Sequence, residues 1–539
     1  MRRASSSNQR FWGGALCGLL FVALGWLFVN YPGLQEDESA FATPFFREWN
    51  FFAIQFGRVR VPLMQMSYVG SLKTWLYAPF IHLWTPGPAL IRMPAVLIGA
   101  ATIVLFGALL DRVHGRRAAW TGCVLLGTDS IFLLTTTFDW GPIALQHFLM
   151  TAAIFLVVLW SRNRSDMWLA AAAVLCGLAF WDKAVFVWMF SGLVFAGSLL
   201  FFRRVRKQLT ARSLLFVAAA FCVGGIPLIV YNFQSVPKFV TVRSNSVLAL
   251  DHFGDKFEML HRTWNGSGLF GYITSDSADR PMAPRSPAEK ASVLVHSVTG
   301  DRRTNASGLA LLGGIVLIPF LWRTHVRDTL LFALVAGGVA WIFMIISGGG
   351  GSVHHAVLLW PLPHLFLAAA FAEASEHIRF GARALAATVV FLAAANLAVT
   401  NQYLFQFVRN GSAGVWSDAI YALAAGLRQT TASQAVLVDW GLEAPLAVLN
   451  RNSPPVKIIA NPFANSAETE TQRQADLQLL SDGKAIWVER TSGNEILAGV
   501  NKRLLDAARN AGFEQQRLNV YNDSHGRPFF QTFRFIARR

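Results

Sequence analysis

Eleven apolar runs of roughly membrane-spanning length constrain this chain more than any other feature. A helix that crosses a bilayer needs about 20 mainly apolar residues, because its backbone polar groups find no water in the hydrocarbon layer. The composition agrees, since 54% of the 539 residues are hydrophobic and only 14% are charged. We therefore predict a polytopic α-helical membrane protein with about 11 transmembrane helices. The runs lie at about 11–30, 89–110, 118–137, 141–160, 167–181, 184–202, 213–231, 307–322, 329–347, 354–372 and 384–404.

The basic residues follow a pattern that orients these helices. The formal net charge is +16, and 14 of the 47 Lys and Arg residues fall in five alternate loops between the apolar runs. The short loops on the other side, at 138–140, 181–183 and 348–353, hold a single basic residue, Lys183. Cytoplasmic loops are enriched in Lys and Arg, so we predict a cytoplasmic N-terminus and no nucleic-acid partner. The first run has no small-residue cleavage site, which favours an uncleaved helix over a signal peptide.

The loops and the tail divide the chain into two predicted domains. A transmembrane domain covers residues 1–404, with long outer loops at 31–88 and 232–306, and a small C-terminal α/β domain covers 405–539. Aromatic pieces at 45–52 and 75–80 predict interfacial helices. The tail alternates strands and helices, which predicts a partly parallel sheet. Its predicted strands lie at 435–439, 456–460, 485–489 and 529–536, and its predicted helices at 443–449, 468–480 and 494–511.

Acidic residues stand at two positions on the predicted outer side. Glu36, Asp37 and Glu38 directly follow the first helix, where three carboxylates could bind a cation or supply a general base. Ordinary N-cap chemistry is the alternative. Asp139 lies on the tight turn before the fourth helix and has the same two interpretations, function or helix capping. Asp129 lies deeper, where an interhelical polar contact is favoured.

Cations on the outer side need a reason, because the charge rule disfavours them there. Lys73, Arg92 and Lys183 could pair with the outer acids, hold a lipid phosphate, or extend to the headgroups. His354 and His355 follow a run of four glycines, and their imidazoles at a helix start could contact an anion. A flexible glycine hinge is the competing interpretation. The four cysteines have neither metal-ligand nor redox spacing.

The order of these motifs resembles the GT-C glycosyltransferases, most closely the bacterial relatives of protein O-mannosyltransferases and the lipid A aminoarabinose transferase. The resemblance covers about residues 10–200. It implies that Asp37, followed by Glu38, is the catalytic acid of the first loop, with Asp139 as a second acid. It also implies that Lys73, in Lys73-Thr-Trp-Leu76-Tyr77, contacts the donor phosphate. Arg92-Met93-Pro94 matches the family's Arg-Leu-Pro motif at the start of the next helix.

We therefore predict a hexosyl- or pentosyltransferase of the bacterial inner membrane. It would move a sugar from a polyprenyl-phosphate-linked donor to a glycan, lipid or protein acceptor at the outer face. No cofactor is certain, and a divalent cation at the three acids stays open. A transporter or flippase for a lipid-linked or anionic solute is the alternative, although the helix set shows no repeated half. The predicted catalytic residues are Asp37, Glu38 and Asp139, and the predicted phosphate-binding residues are Lys73, Arg92, His354 and His355.

Overall fold

The structure is a computed structural model, and it describes residues 12–47, 52–81, 84–245, 247–277, 279–458, 474 and 478–538. All eleven predicted apolar runs are helical within this part of the chain. The helices up to the end of the last run are α1 (Gly13–Phe28), α2 (Glu36–Ala40), α3 (Leu72–Ile81), α4 (Pro88–His114), α5 (Arg116–Thr128), α6 (Ser130–Phe138), α7 (Ile143–Asn163), α8 (Asp166–Asp182), α9 (Phe186–Arg206), α10 (Ala211–Gln234), α11 (Val240–Asn245), α12 (Phe253–Trp264), α13 (Pro287–Thr299), α14 (Ser307–Leu321), α15 (Arg327–Ile346), α16 (Val353–Ala356), α17 (Leu362–Glu376) and α18 (Gly381–Asn410).

Two of the apolar runs are broken near their middle. α5 and α6 meet at an angle of 58°, and the segment Val353–Leu359 meets α17 at 41°. Among the described residues, six helices are long and apolar enough to cross a membrane, and eight spans result if each bent pair counts as one. α1, α8 and α14 are shorter, with 16, 17 and 15 residues. The predicted polytopic membrane domain is thus confirmed, and its last helix continues past residue 404 to Asn410.

Glycines let α8 and α10 pack backbone to backbone. A Cβ added to Gly177 would lie 2.2 Å from the carbonyl oxygen of Phe221, and one added to Gly224 would lie 2.2 Å from that of Val174. Small residues allow such close approach in membranes, where helices associate through packing and not through the exclusion of water. α8 is thereby held rigidly, and it ends next to Lys183.

The first loop differs in part from its prediction. Strands β1 (Phe52–Phe56) and β2 (Val59–Met64) form an antiparallel hairpin, whereas residues 48–51 lie outside the described part. The predicted interfacial helix at 45–52 is wrong over its described residues, which hold only the short 3-10 turn Thr43–Phe45. β-branched and aromatic side chains favour strands, and Gly57 supplies the positive φ of the turn. The predicted helix at 75–80 is confirmed as α3.

The C-terminal region is an α/β domain, as predicted. It contains α19 (Ala419–Arg428), α20 (Glu443–Leu449) and α21 (Val500–Asn510), with strands β3 (Gln434–Leu437), β4 (Val456–Ile458), β5 (Ala485–Arg490), β6 (Phe513–Asn522) and β7 (Pro528–Ala537). The strand order is β4-β3-β5-β7-β6, and β3 pairs in parallel with both β4 and β5. α19 and α20 cover one face of the sheet and α21 covers the other. Most of the predicted helix at 468–480 lies outside the described residues.

Candidate functional site

Asp129 joins the two broken spans inside the membrane domain. Its carboxylate accepts a hydrogen bond from the N–H of Phe132 (2.8 Å), which caps α6. The other oxygen accepts from the indole N–H of Trp360 (3.1 Å) and lies 3.4 Å from Nε2 of His364. The interhelical polar contact predicted for Asp129 is confirmed. α6 and α16 therefore lead from one polar junction to the same end of the domain, called here the site end, where Asp139 and His354 lie.

Asp139 caps one helix and pairs with a lysine. It ends α6 in the left-handed region (φ 37°), and one carboxylate oxygen accepts from the N–H groups of Ile143 (2.8 Å) and Ala144 (3.0 Å) at the start of α7. The other oxygen lies 2.7 Å from Nζ of Lys73, which also donates to the Asp139 carbonyl (2.7 Å). Burial lowers the pKa of Lys73, but Asp139, Tyr77 and Glu38 together more than compensate, and the pKa is raised. The helix capping that was one interpretation of Asp139 is present, and so is the pairing with an outer acid that was one interpretation of Lys73.

The three consecutive acids of the first loop contact three different partners. Glu36 accepts from the N–H of Ala444 (3.0 Å) at the start of α20, and so attaches the first loop to the C-terminal domain. Glu38 is fully buried and binds Arg92, with contacts of 2.6 and 2.9 Å. Asp37 lies between them and is the half-buried one. The carboxylates therefore do not converge on one cation. Within the described part of the chain, no group of three or more His, Cys, Asp or Glu side chains could hold a metal ion.

Arg92 uses its whole guanidinium inside the protein. Besides the two bonds to Glu38, it donates to the carbonyls of Val29 (2.8 Å), Pro32 (2.9 Å) and Gly33 (3.1 Å). These contacts account for all five N–H groups that an arginine carries. Arg92 therefore has no N–H left for a donor phosphate, contrary to the role predicted for it, and it ties the end of α1 to α4.

Asp37 has the surroundings of a general base. Nε2 of Gln35 donates to its carboxylate (3.3 Å), and the Gln35 side chain also accepts from the N–H of Asp37 (2.7 Å). Burial raises the pKa of Asp37, and the Gln35 hydrogen bond and the positive charge of Lys183 lower it by less. A carboxylate with a raised pKa takes up a proton more readily than an ordinary aspartate does.

Lys183 is a buried cation that faces this carboxylate. Its ammonium forms no hydrogen bond or ion pair with any residue that the structure describes. Gly141 lies close to both Lys183 and His354. A Cβ added to Gly141 would lie 3.0 Å from Nζ of Lys183 and 4.0 Å from Cδ2 of His354. Burial lowers the pKa of Lys183 to about 8, against the opposite effects of Asp182, Asp139 and Asp37. Three nearby carboxylates therefore favour the charged form of Lys183, while its N–H groups stay available to a ligand.

The backbone around Lys183 is fixed against the first loop. The N–H of Gly70 donates to the carbonyl of Asp182 (3.0 Å), and that of Ala184 donates to the carbonyl of Tyr68 (2.9 Å). A Cβ at Gly70 would lie 2.0 Å from the Trp181 carbonyl oxygen, so no larger residue fits there. This contact brings the α8–α9 turn to Asp37. The predicted phosphate-binding set did not include Lys183, although it is the lone basic residue of the short outer loops.

His354 and His355 lie at the same site. Nδ1 of His354 accepts from the indole N–H of Trp140 (3.0 Å), and the two imidazole rings are 4.2 Å apart. The hydroxyl of Ser352 is within hydrogen-bond distance of both rings. Trp140 packs in turn against Trp416, at 5.4 Å between ring centroids. The site thus collects Asp37, Lys183, Lys73 with Asp139, and the two histidines.

The whole chain is similar to solved membrane proteins. It aligns with a crystal structure of ArnT from Cupriavidus metallidurans bound to undecaprenyl phosphate, with a TM-score of 0.58 and 13% identity, over 96% of this chain and 97% of that chain. It also aligns with a crystal structure of the Archaeoglobus fulgidus oligosaccharyltransferase in the apo form, with a TM-score of 0.52 and 13% identity, over 98% of this chain and 74% of that chain. Neither the protein-family models nor the curated protein sequences match this chain. The likenesses confirm the GT-C fold that the motif order predicts.

The contact between Glu36 and α20 should depend on pH. Burial raises the pKa of Glu36 to about 8, despite the hydrogen bond from Ala444. Because the ordinary value is 4.5, the folded protein keeps a proton that the unfolded chain has lost. The stability from this proton is complete below pH 4.5 and is lost as the pH rises to about 8. Between pH 5 and 9, the unfolding temperature should therefore fall less steeply with rising pH in Glu36→Gln than in the wild type. Glu258→Gln, at an exposed side chain, is the control. The same dependence of unfolding temperature on pH in Glu36→Gln and the wild type would contradict the raised pKa of Glu36.

Proposed function

We propose that the protein is a glycosyltransferase that takes a sugar from a polyprenyl-phosphate donor. The observation that carries the proposal is the half-buried carboxylate of Asp37 facing the unpaired ammonium of Lys183. One group can accept a proton and the other can bind a phosphate, at the end of a membrane domain where a lipid headgroup would lie. The shared GT-C fold, with one neighbour bound to undecaprenyl phosphate, supports this choice. The proposed location is the inner membrane, with the N-terminus in the cytoplasm and the site and C-terminal domain in the periplasm.

The chemistry needs a base and a partner for the leaving group. Asp37 would take the proton of the acceptor nucleophile as that atom attacks the anomeric carbon of the sugar. The bond from this carbon to the phosphate oxygen breaks, and the electron pair stays on the polyprenyl phosphate. Lys183 would stabilise the charge that develops there, which is commonly the largest catalytic effect. The imidazoles of His354 and His355 can add hydrogen bonds to the same phosphate.

The remaining predicted residues would act by positioning. Lys73 and Asp139 occupy each other and hold α3 against the α6–α7 turn, and Lys73 keeps one N–H that could reach a ligand. Glu38 and Arg92 hold the first loop so that Asp37 points to Lys183. We therefore assign catalysis to Asp37 and phosphate binding first to Lys183 and then to Lys73.

The test uses purified protein in lipid nanodiscs with undecaprenyl-phosphate-linked radiolabelled sugar and an acceptor fraction from bacterial membranes. We expect label to move to the acceptor and undecaprenyl phosphate to be released in equal amount. Label that stays on the lipid would contradict the proposal. If reconstituted vesicles then carried the labelled lipid across the bilayer, the transporter alternative would replace it.

Replacing Lys183 by methionine should weaken donor-lipid binding. A hydrogen bond to a charged group contributes about 1.5–3 kcal/mol, so we expect the affinity for undecaprenyl phosphate to fall roughly 10- to 150-fold. Binding can be followed by native mass spectrometry in detergent. Lys238→Met, at an exposed position, is the matched control and should bind like the wild type. An unchanged affinity in Lys183→Met would mean that Lys183 does not bind the phosphate, and Lys73 would be the next residue to test.

A further inference from the structure

A polar cleft lies between the membrane domain and the C-terminal domain. Its volume is about 830 Å³. One wall comes from residues 271–276 and 412–414 beside the site end, and the other from residues 491–494 and from strands β6 and β7. Six lining residues carry neutral hydroxyl or amide groups and three are charged. They are Ser275, Ser412, Thr491, Ser492, Asn494 and Gln531, together with Asp276, Arg517 and Arg527.

Polar groups of this cleft are free to bind a ligand. The side chains of Ser412, Ser492 and Arg517 form no hydrogen bond or ion pair with the residues described in this structure. Arg527 is held in place by Asp523 (2.6 Å) and donates to the hydroxyl of Ser275 (3.1 Å). A wall with both free donors and free acceptors is suited to a ligand with many hydroxyl groups.

The charge of the cleft favours an acidic ligand. Asp276 is already paired with Arg303 (3.0 Å), so its negative charge is largely compensated. Arg517 lies exposed on β6 without an ion pair among the described residues, and a guanidinium binds a carboxylate or a phosphate through two parallel hydrogen bonds. The cleft therefore presents a net positive charge beside its neutral polar groups.

The cleft leads to the neighbourhood of Asp37. Gly271 and Gly414 line it, and nearby Tyr272 and Trp416 both pack on Trp140, at 5.9 and 5.4 Å between ring centroids. Burial raises the pKa of Tyr272, and the nearby charge of Asp37 raises it further. Trp140 and Trp416 are buried, whereas the side chain of Tyr272 is exposed, so Tyr272 is an aromatic group through which the cleft approaches the proposed general base.

We infer that this cleft binds the acceptor, and that the acceptor is a glycan that carries acidic groups. The inference rests on the proposed function and names its second substrate. A free hydroxyl of the bound glycan would reach Asp37 along the exposed side chain of Tyr272. The lining has four apolar side chains (Ala413, Val520, Pro528 and Phe529) against nine polar or charged ones, which favours a polar ligand over a lipid tail.

The probe is the pool of water-soluble oligosaccharides that mild acid releases from the membranes of the cells that make the protein. We expect the immobilised wild-type protein, without donor, to retain a fraction that also binds to an anion-exchange column. Ser492→Trp should fill the cleft and Arg517→Ala should remove the free cation, and each should lower retention at least tenfold. Ser481→Trp and Arg509→Ala, at exposed positions of the same domain, are the matched controls and should retain it fully.

The outcomes separate this inference from the proposed function. If the wild type retains no oligosaccharide, retains only neutral ones, or retains peptide instead, the inference is overturned even when it still cleaves the donor lipid. Equal retention by Ser492→Trp and the wild type also overturns it. If acidic oligosaccharide binds and both cleft variants lose it while no donor lipid is cleaved, the glycan site stands and the glycosyltransferase proposal fails.

Discussion

Asp37→Asn should reduce sugar transfer by roughly 10²–10⁴-fold, the usual contribution of a positioned general base. Asparagine has the shape of aspartate but cannot take a proton from the acceptor. The fold should tolerate the change, because the Asp37 carboxylate is half-buried and, among the described residues, accepts one side-chain hydrogen bond, the long one from Gln35 (3.3 Å). Transfer is measured with labelled donor lipid, and binding of undecaprenyl phosphate is measured alongside.

The controls for Asp37 use the same chemical change elsewhere. Asp251→Asn, at an exposed loop position, should transfer sugar like the wild type. Asp37→Glu should recover part of the activity, since it keeps the carboxylate and shifts its position. Wild-type transfer should decline on the acidic side as Asp37 becomes protonated, and at a higher pH than an ordinary aspartate would give, because burial raises its pKa. Equal transfer by Asp37→Asn and the wild type would end its assignment as the base.

Arg92→Met should destabilise the protein by about 3–5 kcal/mol, the usual cost of removing one partner of a buried ion pair. The substitution leaves Glu38 buried without its cation and leaves the carbonyls of Val29, Pro32 and Gly33 without their donors. We expect a lower unfolding temperature and less monodisperse protein in detergent. Arg92→Lys should recover little, because an ammonium has three N–H groups where the site uses five.

An exposed ion pair provides the comparison. Arg204 lies 3.9 Å from Asp328, with 74% of its side chain accessible, and such pairs contribute about 0–1 kcal/mol. Arg204→Met should therefore unfold close to the wild type. Glu38→Gln combined with Arg92→Met should be more stable than Arg92→Met alone, since it removes the uncompensated charge. A wild-type unfolding temperature in Arg92→Met would refute the structural role and reopen a direct role for Arg92 at the phosphate.

The sequence predicted which residues lie at the site better than it predicted which residues they contact. Asp37 was predicted as catalytic because three acids follow the first helix and the Asp37-Glu38 pair resembles that of the GT-C glycosyltransferases, and Lys183 was visible as an isolated outer cation. Apart from the motif resemblance at Lys73, nothing in the pattern distinguishes Lys73 from Lys183, however, because both are single lysines near aromatic residues on the predicted outer side. Their difference is that Asp139 binds one and leaves the other free, which depends on a contact between residues far apart in the chain.

The fold shows the same division. Each predicted apolar run is helical in the described part of the chain, because the requirement for about 20 apolar residues acts on each segment by itself. The breaks at Asp129 and Trp360 were not predicted, since each needs the other segment to satisfy its polar groups. The interfacial helix predicted at 45–52 was wrong over its described residues, and the hairpin that begins at Phe52 was not predicted, because aromatic content alone does not separate helix from strand.

By itself, the sequence determined a polytopic membrane domain, its helices and a C-terminal α/β domain, because these follow from local hydrophobicity and local strand and helix preference. Only the tertiary structure decided how Glu36, Asp37 and Glu38 divide their roles. Adjacent residues on a short helix point in different directions, so one carboxylate meets α20, one meets Arg92 and one faces Lys183. The energetic preference of each charge depends on what surrounds it, and those surroundings come from distant parts of the chain.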